Sequence, residues 1–392
     1  MAIFKESAPH LRRKASVTRM MVDVLIALAP TLIFSFIVFP INTLVFYLCS
    51  LAIMIGAEFV YVGLRNMMPK DGLKHSFKER FTYAYKGKFN QNNVLTAAIS
   101  AVIFTLIMPA GAPIYAVCVG ALAGIVLGKL VFGGLGSNIF NPAAVGMLFA
   151  KICFGGQYHT SGFDYGKVAG YINTKTWFFT ANTTTNELGQ IVAGPTPLGE
   201  INGSALTNLG NYSLFDMLLG KIPGTLGEVY AITILIGLIY LLIRRSADFR
   251  IVCSYFGTFI LLMLIAALSV LSLGKNINVL EFLAYSILGG GALFGGVFML
   301  TDPVTSPINA PSRIIYGMVA AVVTVLIRLF GAYPEGVGFS ILIANMVAVV
   351  LDHYEWSSSR YTWKKFLIMG LLAVIPALTI FLVIKFGGVI NG

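Results

Sequence analysis

The sequence is short of charge: Asp, Glu, Lys and Arg make up 11% of its 392 residues, where a soluble domain carries about 25%. Apolar residues reach 57% and the mean hydropathy is +0.84. Too few polar residues remain to cover a water-soluble fold, so the chain reads as a polytopic, all-α membrane protein. Cysteine is scarce as well. Cys49, Cys118, Cys153 and Cys253 all lie in apolar runs without CxxC spacing, which excludes an iron–sulfur or zinc centre of the usual spacing and leaves them to packing; no metal site is expected. A cleavable signal segment is not expected either, because the run from Met21 is too long and lacks a small-residue cleavage site. The net charge is +11, but the cations sit between apolar runs rather than in a stripe. That pattern sets membrane topology and argues against nucleic acid as a partner.

Apolar runs long enough to cross a bilayer as helices lie near 21–39, 41–64, 92–109, 113–132, 142–156, 225–243, 251–273, 279–300, 314–331, 337–351 and 366–385. Only helices satisfy the backbone in lipid when the segment is this apolar and unpaired. The fifth and tenth runs are short and follow Gly-rich stretches, as pieces of broken helices would. Cations gather on one side of this arrangement: Lys5, Arg12, Arg13, Lys14 and Arg19 in the tail, Arg65 through Lys88 after the second run, and later Arg244, Arg245, Arg250, Arg360, Lys364 and Lys365. By the positive-inside rule that side is cytoplasmic, the N-terminus with it, and the polar loop holding Thr196 is extracytoplasmic.

The sequence also repeats itself. Ala112-Pro113 through Lys129-Leu130-Val131-Phe132-Gly133-Gly134 resembles Ala310-Pro311 through Arg328-Leu329-Phe330-Gly331-Ala332, in step apart from one inserted residue. The copies lie five spans apart and so cross in opposite directions, which predicts two inverted five-helix halves with the working site between them. The resulting division is a cytoplasmic tail 1–20, a first repeat 21–156, an extracytoplasmic loop 157–224, a second repeat 225–352, and a cytoplasmic turn with an additional helix 353–392.

Three breaks rich in Gly or Pro interrupt the apolar runs: Gly133 to Pro142, which includes Asn138 and Asn141, Gly331 to Gly336, and Thr301 to Pro307. Backbone freed inside a span is tolerated where it lines a cavity or binds a ligand, and helix N-termini there favour anions. Among the ionisable groups near these depths, Lys129, Asp302, Glu335 and Asp23 are the candidates for function. Each also has a plain structural role open to it: Asp302 capping a turn before Pro303, Lys129 and Arg328 reaching to the interface, Asp23 opening a helix. In the long loop, Gly194-Pro195-Thr196-Pro197-Leu198 holds a hydroxyl exposed on a stiff turn. Sequons at Asn182, Asn202 and Asn211 share that loop and matter only in a glycosylating cell.

Taken together, Gly133 to Ala143, Thr196-Pro197-Leu198, Thr301 to Pro307 and Tyr333-Pro334-Glu335-Gly336 resemble a family formed by the D subunit of the bacterial Rnf complex and the homologous B subunit of the Na+-pumping NADH:quinone oxidoreductase. The likeness covers roughly residues 8–355. It implies about ten core helices in two inverted halves, like urea transporters, in the bacterial inner membrane. It also implies FMN joined through its phosphate to Thr196, with Gly194, Pro197 and Leu198 completing the motif that a flavin transferase reads. Ala193, Pro195 and Gln190 stand where the family usually has Ser, Ala and an acidic residue. Ser7-Ala8-Pro9-His10 and the run from Arg328 to Gly336 look more like the Rnf branch.

In such a complex the chain would pass electrons, coupled to Na+ or H+ movement, without being catalytic alone; other membrane and peripheral subunits hold the NAD and ferredoxin sites. Lys129, Asn138, Asn141, Asp302 and Glu335 are expected to line an ion or flavin cavity, which riboflavin could share. Two other readings stand beside this one. A flavin-free small-solute transporter of the same fold would bind no flavin, and a structural component of the complex that has lost its flavin would assemble with an apoprotein loop.

Overall fold

The computed structural model describes residues 17–66, 77–86, 88–155, 183–185, 191–193, 213–220, 222, 224–275, 277–331, 335–353 and 358–386. The helices are α1 (Val17–Val38), α2 (Pro40–Asn66), α3 (Phe77–Tyr85), α4 (Gln91–Ile107), α5 (Ile114–Ile125), α6 (Pro142–Cys153), α7 (Leu214–Leu219), α8 (Ala231–Arg244), α9 (Phe249–Ser272), α10 (Val279–Leu288), α11 (Ala292–Phe294), α12 (Ala310–Phe330), α13 (Val337–Leu351) and α14 (Trp363–Phe386). Single π-helical turns, Val126–Leu130 and Gly295–Met299, extend α5 and α11. Two short antiparallel strands, β1 (Thr183–Thr185) and β2 (Ile191–Ala193), pair with Thr183 opposite Ala193.

Helices α1, α2, α9, α12 and α14 are long and apolar enough to cross a membrane, and α10 with α11 and its π turn makes a sixth such span, bent by 66°. Shorter apolar helices are α4, α5 with its π turn, α6, α8 and α13. Leu64, Ile239, Ile243, Val350 and Phe366 stand exposed on the outside of the bundle, as lipid-facing residues do. The chain is thus a mostly helical, multi-pass membrane protein.

Helix starts follow their local chemistry. Asn141 caps α6, accepting from the amides of Ala143 at 3.0 Å and Ala144 at 3.4 Å, with Pro142 at the first helical position, where no amide is needed. Asp248 caps α9 through the Arg250 amide at 2.8 Å. The expected continuous span 279–300 is instead broken at Gly289-Gly290-Gly291. Glycine carries no side chain to pack and no Cβ to hold helical geometry, so the run bends where three occur together. Helix α3 was not expected, because its polar composition hides it from a hydropathy reading.

Since lipid tails are as apolar as leucine, helices associate through close packing of small residues. Here α5 meets α6 that way: a Cβ on Gly124 would lie 2.6 Å from the Pro142 carbonyl oxygen, and one on Gly146 would lie 2.6 Å from the Gly120 carbonyl oxygen. Helix α2 packs on α4 and α5, α9 on α12 and α14, and α12 on α13, while α1 with α8 and α6 with α13 join the N-terminal and C-terminal groups. Thr31 and Thr233 share a buried hydrogen bond of 3.0 Å at the first of these joints.

The contacts fix which ends meet. Arg65 at the end of α2 donates to the Gly133 carbonyl beyond α5 at 2.7 Å, Arg244 at the end of α8 pairs with Asp23 near the start of α1 at 3.0 Å, and Arg313 of α12 pairs with Asp248 at the start of α9. At the other end Asn42 of α2 donates to the Ala110 carbonyl at 2.7 Å, and Pro109 bridges to Thr225.

Candidate functional site

Lys129 sits in the π turn that ends α5, a distortion that lets a side chain leave the regular helical face and that recurs at functional sites. Its ammonium lies 2.9 Å from a Glu58 carboxylate oxygen on α2 and donates to Thr96 Oγ1 on α4 at 2.9 Å. Asn93 donates to the other Glu58 oxygen at 3.0 Å. Both charged residues are almost wholly buried, Lys129 at 2% and Glu58 at 1% exposure, so Lys129 does not reach to the interface. Burying two charges is tolerable only with such pairing and hydrogen bonding.

Beyond the π turn the chain reverses through Gly133, Gly134 and Gly136, all with positive φ (114°, 93° and 83°), a backbone that L side chains rarely adopt. The reversal brings Asn138 and Asn141 back to the cavity that Lys129 lines. Asn141 caps α6 with its oxygen and reaches the Met299 carbonyl with its nitrogen at 3.5 Å, tying α6 to the second π turn. Asn138 donates to the Phe140 carbonyl at 3.3 Å. Asp302, three residues after that π turn, faces the same cavity. It also caps its own turn, accepting from the Val304 amide at 3.1 Å and the Thr305 hydroxyl at 3.4 Å. Asp302 therefore caps its turn and lines the cavity at once.

The cavity measures about 50 Å³. That is room for at least one water, which takes about 30 Å³ in the liquid, or for a dehydrated cation. Asp302 brings a half-buried carboxylate beyond the Glu58–Lys129 pair, and a carboxylate drawn out of water is stabilised by a proton or a cation beside it.

Glu335 is elsewhere. It accepts from the Gly291 amide at 3.4 Å and lines a separate cavity of about 40 Å³ with Glu228, Lys151, Thr225 and Gly338. The sequence grouped Glu335 with Lys129 and Asp302; the structure separates them, with Lys129 and Asp302 on one cavity and Glu335 on another beside Thr225. Arg328 is buried at 3% exposure, donates to the Ser286 carbonyl at 2.6 Å and lies over the Phe259 ring at 5.3 Å, so it too stays inside. Asp23 does more than open a helix: it joins α1 to α8 through Arg244, Ser246 at 2.8 Å and Tyr240 at 3.2 Å.

Thr196, Gly194, Pro197 and Leu198 lie outside the described residues. Glu58 and Glu228 were missed by the sequence reading. A lone carboxylate within the run 41–64 was signal enough for Glu58, while Glu228 sat at an assumed span edge and looked like an end residue. Among the described residues no cluster of three or more His, Cys, Asp or Glu could hold a metal ion.

These features define a multi-pass helical protein with buried, paired charges at broken helices, the make-up of a membrane translocation component. Residues 4–361 match the sequence model of the NQR2, RnfD, RnfE family, and the chain belongs to that family. The D subunit of the ion-translocating oxidoreductase complex of Marinobacter nauticus is 29% identical over 358 residues, covering 90% of this chain and 94% of that one. The D subunit of the Na(+)-translocating ferredoxin:NAD(+) oxidoreductase complex of Acetobacterium woodii is 29% identical over 348 residues, covering 89% and 92%. The B subunit of the Na(+)-translocating NADH-quinone reductase of Chromohalobacter salexigens is 35% identical over 260 residues, 65% of this chain, and the chain spans 57% of that relative's length.

Proposed function

We propose that this chain is the membrane flavoprotein subunit of an ion-translocating oxidoreductase complex of the ferredoxin:NAD+ type, passing electrons in step with Na+ or H+ and not catalytic alone. Near full-length coverage of the two D-type relatives favours that branch over the quinone reductase. The observation that carries the ion-handling part is Asp302, facing a cavity with room for a water or a cation beside the buried Glu58–Lys129 pair. In this reading a cation or proton entering from the Arg65 end is taken by Asp302, and Lys129 holds Glu58 so that only one carboxylate is left to be neutralised.

The electron-carrying part rests on Thr196, to which FMN is joined through its phosphate by a flavin transferase. FMN bound there supplies the redox chemistry, and the chain supplies its position. The architecture proposed is two inverted five-helix halves with α14 added. It is supported by α5 ending at the end of the bundle where α12 begins and by π turns placed before Asp302 and at Lys129. The Arg65 end faces the cytoplasm and the Thr196 loop faces out, as the positive-inside rule requires.

Asp302→Asn in the assembled complex is expected to keep bound flavin while cutting cation- or proton-coupled turnover at least tenfold, read as ion uptake into proteoliposomes alongside electron transfer. Unchanged ion uptake per electron in that variant would remove Asp302 from the path.

A further inference from the structure

Beside the Asp302 cavity, and sharing Ser246, Ala247, Thr301 and Pro303 with it, lies an open recess of about 550 Å³ with a different character. Arg245 from the end of α8, Arg250 from the first turn of α9 and Arg313 from the first turns of α12 all line it. Among the described residues lining it, one acid opposes them. Asp248 pairs with Arg313 and lies 3.8 Å from Arg250, and Arg313 also donates to the Pro307 carbonyl at 2.8 Å. Arg245 is left exposed at φ 56°, a left-handed backbone at a helix end that glycine or asparagine would fit with less strain.

Arginines that merely set topology need not converge. Here three separate helix ends direct them into one recess, whose remaining wall includes Met20, Leu242, Phe249 and Ile251, with the Phe249 ring largely exposed beside it. Charge on one side and apolar surface on the other suit an anionic headgroup with its chains running down the bundle. Arginine's fork matches phosphate oxygens in pairs. A concave recess of this volume fits a small headgroup better than the flat surface a protein partner presents.

We propose that this recess binds a phosphate-bearing anion held by Arg245, Arg250 and Arg313, and that its source is the headgroup of an anionic phospholipid. The same phosphate chemistry could reach the recess on a soluble molecule, so the test separates the two. The full chain, purified and delipidated in a neutral detergent, is titrated with cardiolipin, phosphatidylcholine, inorganic phosphate and a polyglutamate peptide while its unfolding temperature is followed.

Cardiolipin is expected to raise the midpoint saturably and phosphatidylcholine to leave it unmoved. Arg245→Asn, which suits the left-handed backbone and so retains the fold, is expected to weaken the apparent cardiolipin affinity about fivefold; Arg250→Gln weakens it by a similar factor. Equal response to both lipids, or wild-type titrations in both variants, would overturn the proposal. Inorganic phosphate matching the full cardiolipin shift and competing with it would overturn the lipid source while keeping the phosphate site. Response to polyglutamate alone would give the recess to an acidic protein and overturn both.

Discussion

Lys129 and Glu58 form a pair in which each partner justifies the burial of the other. Removing one charge leaves the second uncompensated, a loss of about 3–5 kcal/mol in buried pairs. Lys129→Met is therefore expected to lower stability by roughly that amount, and Glu58→Leu combined with Lys129→Met to recover most of it; chemical unfolding of the single and double variants in detergent checks the pairing. Much of this was legible in the sequence. Lys129 and Asp302 declare themselves as charges among apolar residues, and Glu58 obeys the same rule in the run 41–64. What the sequence could not show was who meets whom. Glu335 and Asp302 both border Gly- or Pro-rich breaks, but only folding reveals that their cavities are separate.

At the scale of elements, glycine does two jobs that hydropathy does not distinguish. Gly124 lets α5 approach α6, and a side chain there would collide with the Pro142 carbonyl at 2.6 Å. Gly257 in α9 has nothing within 4 Å of the position its Cβ would take. Gly124→Val is expected to cost about 1–3 kcal/mol through overpacking, while Gly257→Ala is expected to be neutral or to stabilise by about 0.5–1 kcal/mol. Unfolding midpoints of the two variants, measured side by side, decide this. The expected apolar runs became helices because length and apolarity largely determine them. The bend at Gly289-Gly290-Gly291 escaped because an average over a window counts those residues as apolar and overlooks their lack of a Cβ. Both π turns escaped as well, because hydropathy carries no signal for a change in the helical hydrogen-bond pattern.

At the scale of the whole molecule, the proposed orientation rests on the uneven placement of cations. Single cysteines introduced at Ser76 and Ser204, in a background lacking the native four, are expected to react differently with a membrane-impermeant maleimide on intact cells, Ser204→Cys labelling and Ser76→Cys not. The reverse pattern would invert the topology and put Thr196 on the wrong side. The family was legible from four ordered motifs and is borne out by the match over residues 4–361. The Thr196 segment lies outside the described residues, and the flavin proposed there would be added after synthesis, so neither composition nor helix packing speaks for it.

The most direct test of the redox account is ultraviolet fluorescence of the denatured chain in a gel, after co-expression with a flavin transferase, comparing wild type with Thr196→Val. The account predicts a fluorescent wild-type band and a dark Thr196→Val band. A dark wild-type band, or a Thr196→Val band as bright as wild type, would contradict it.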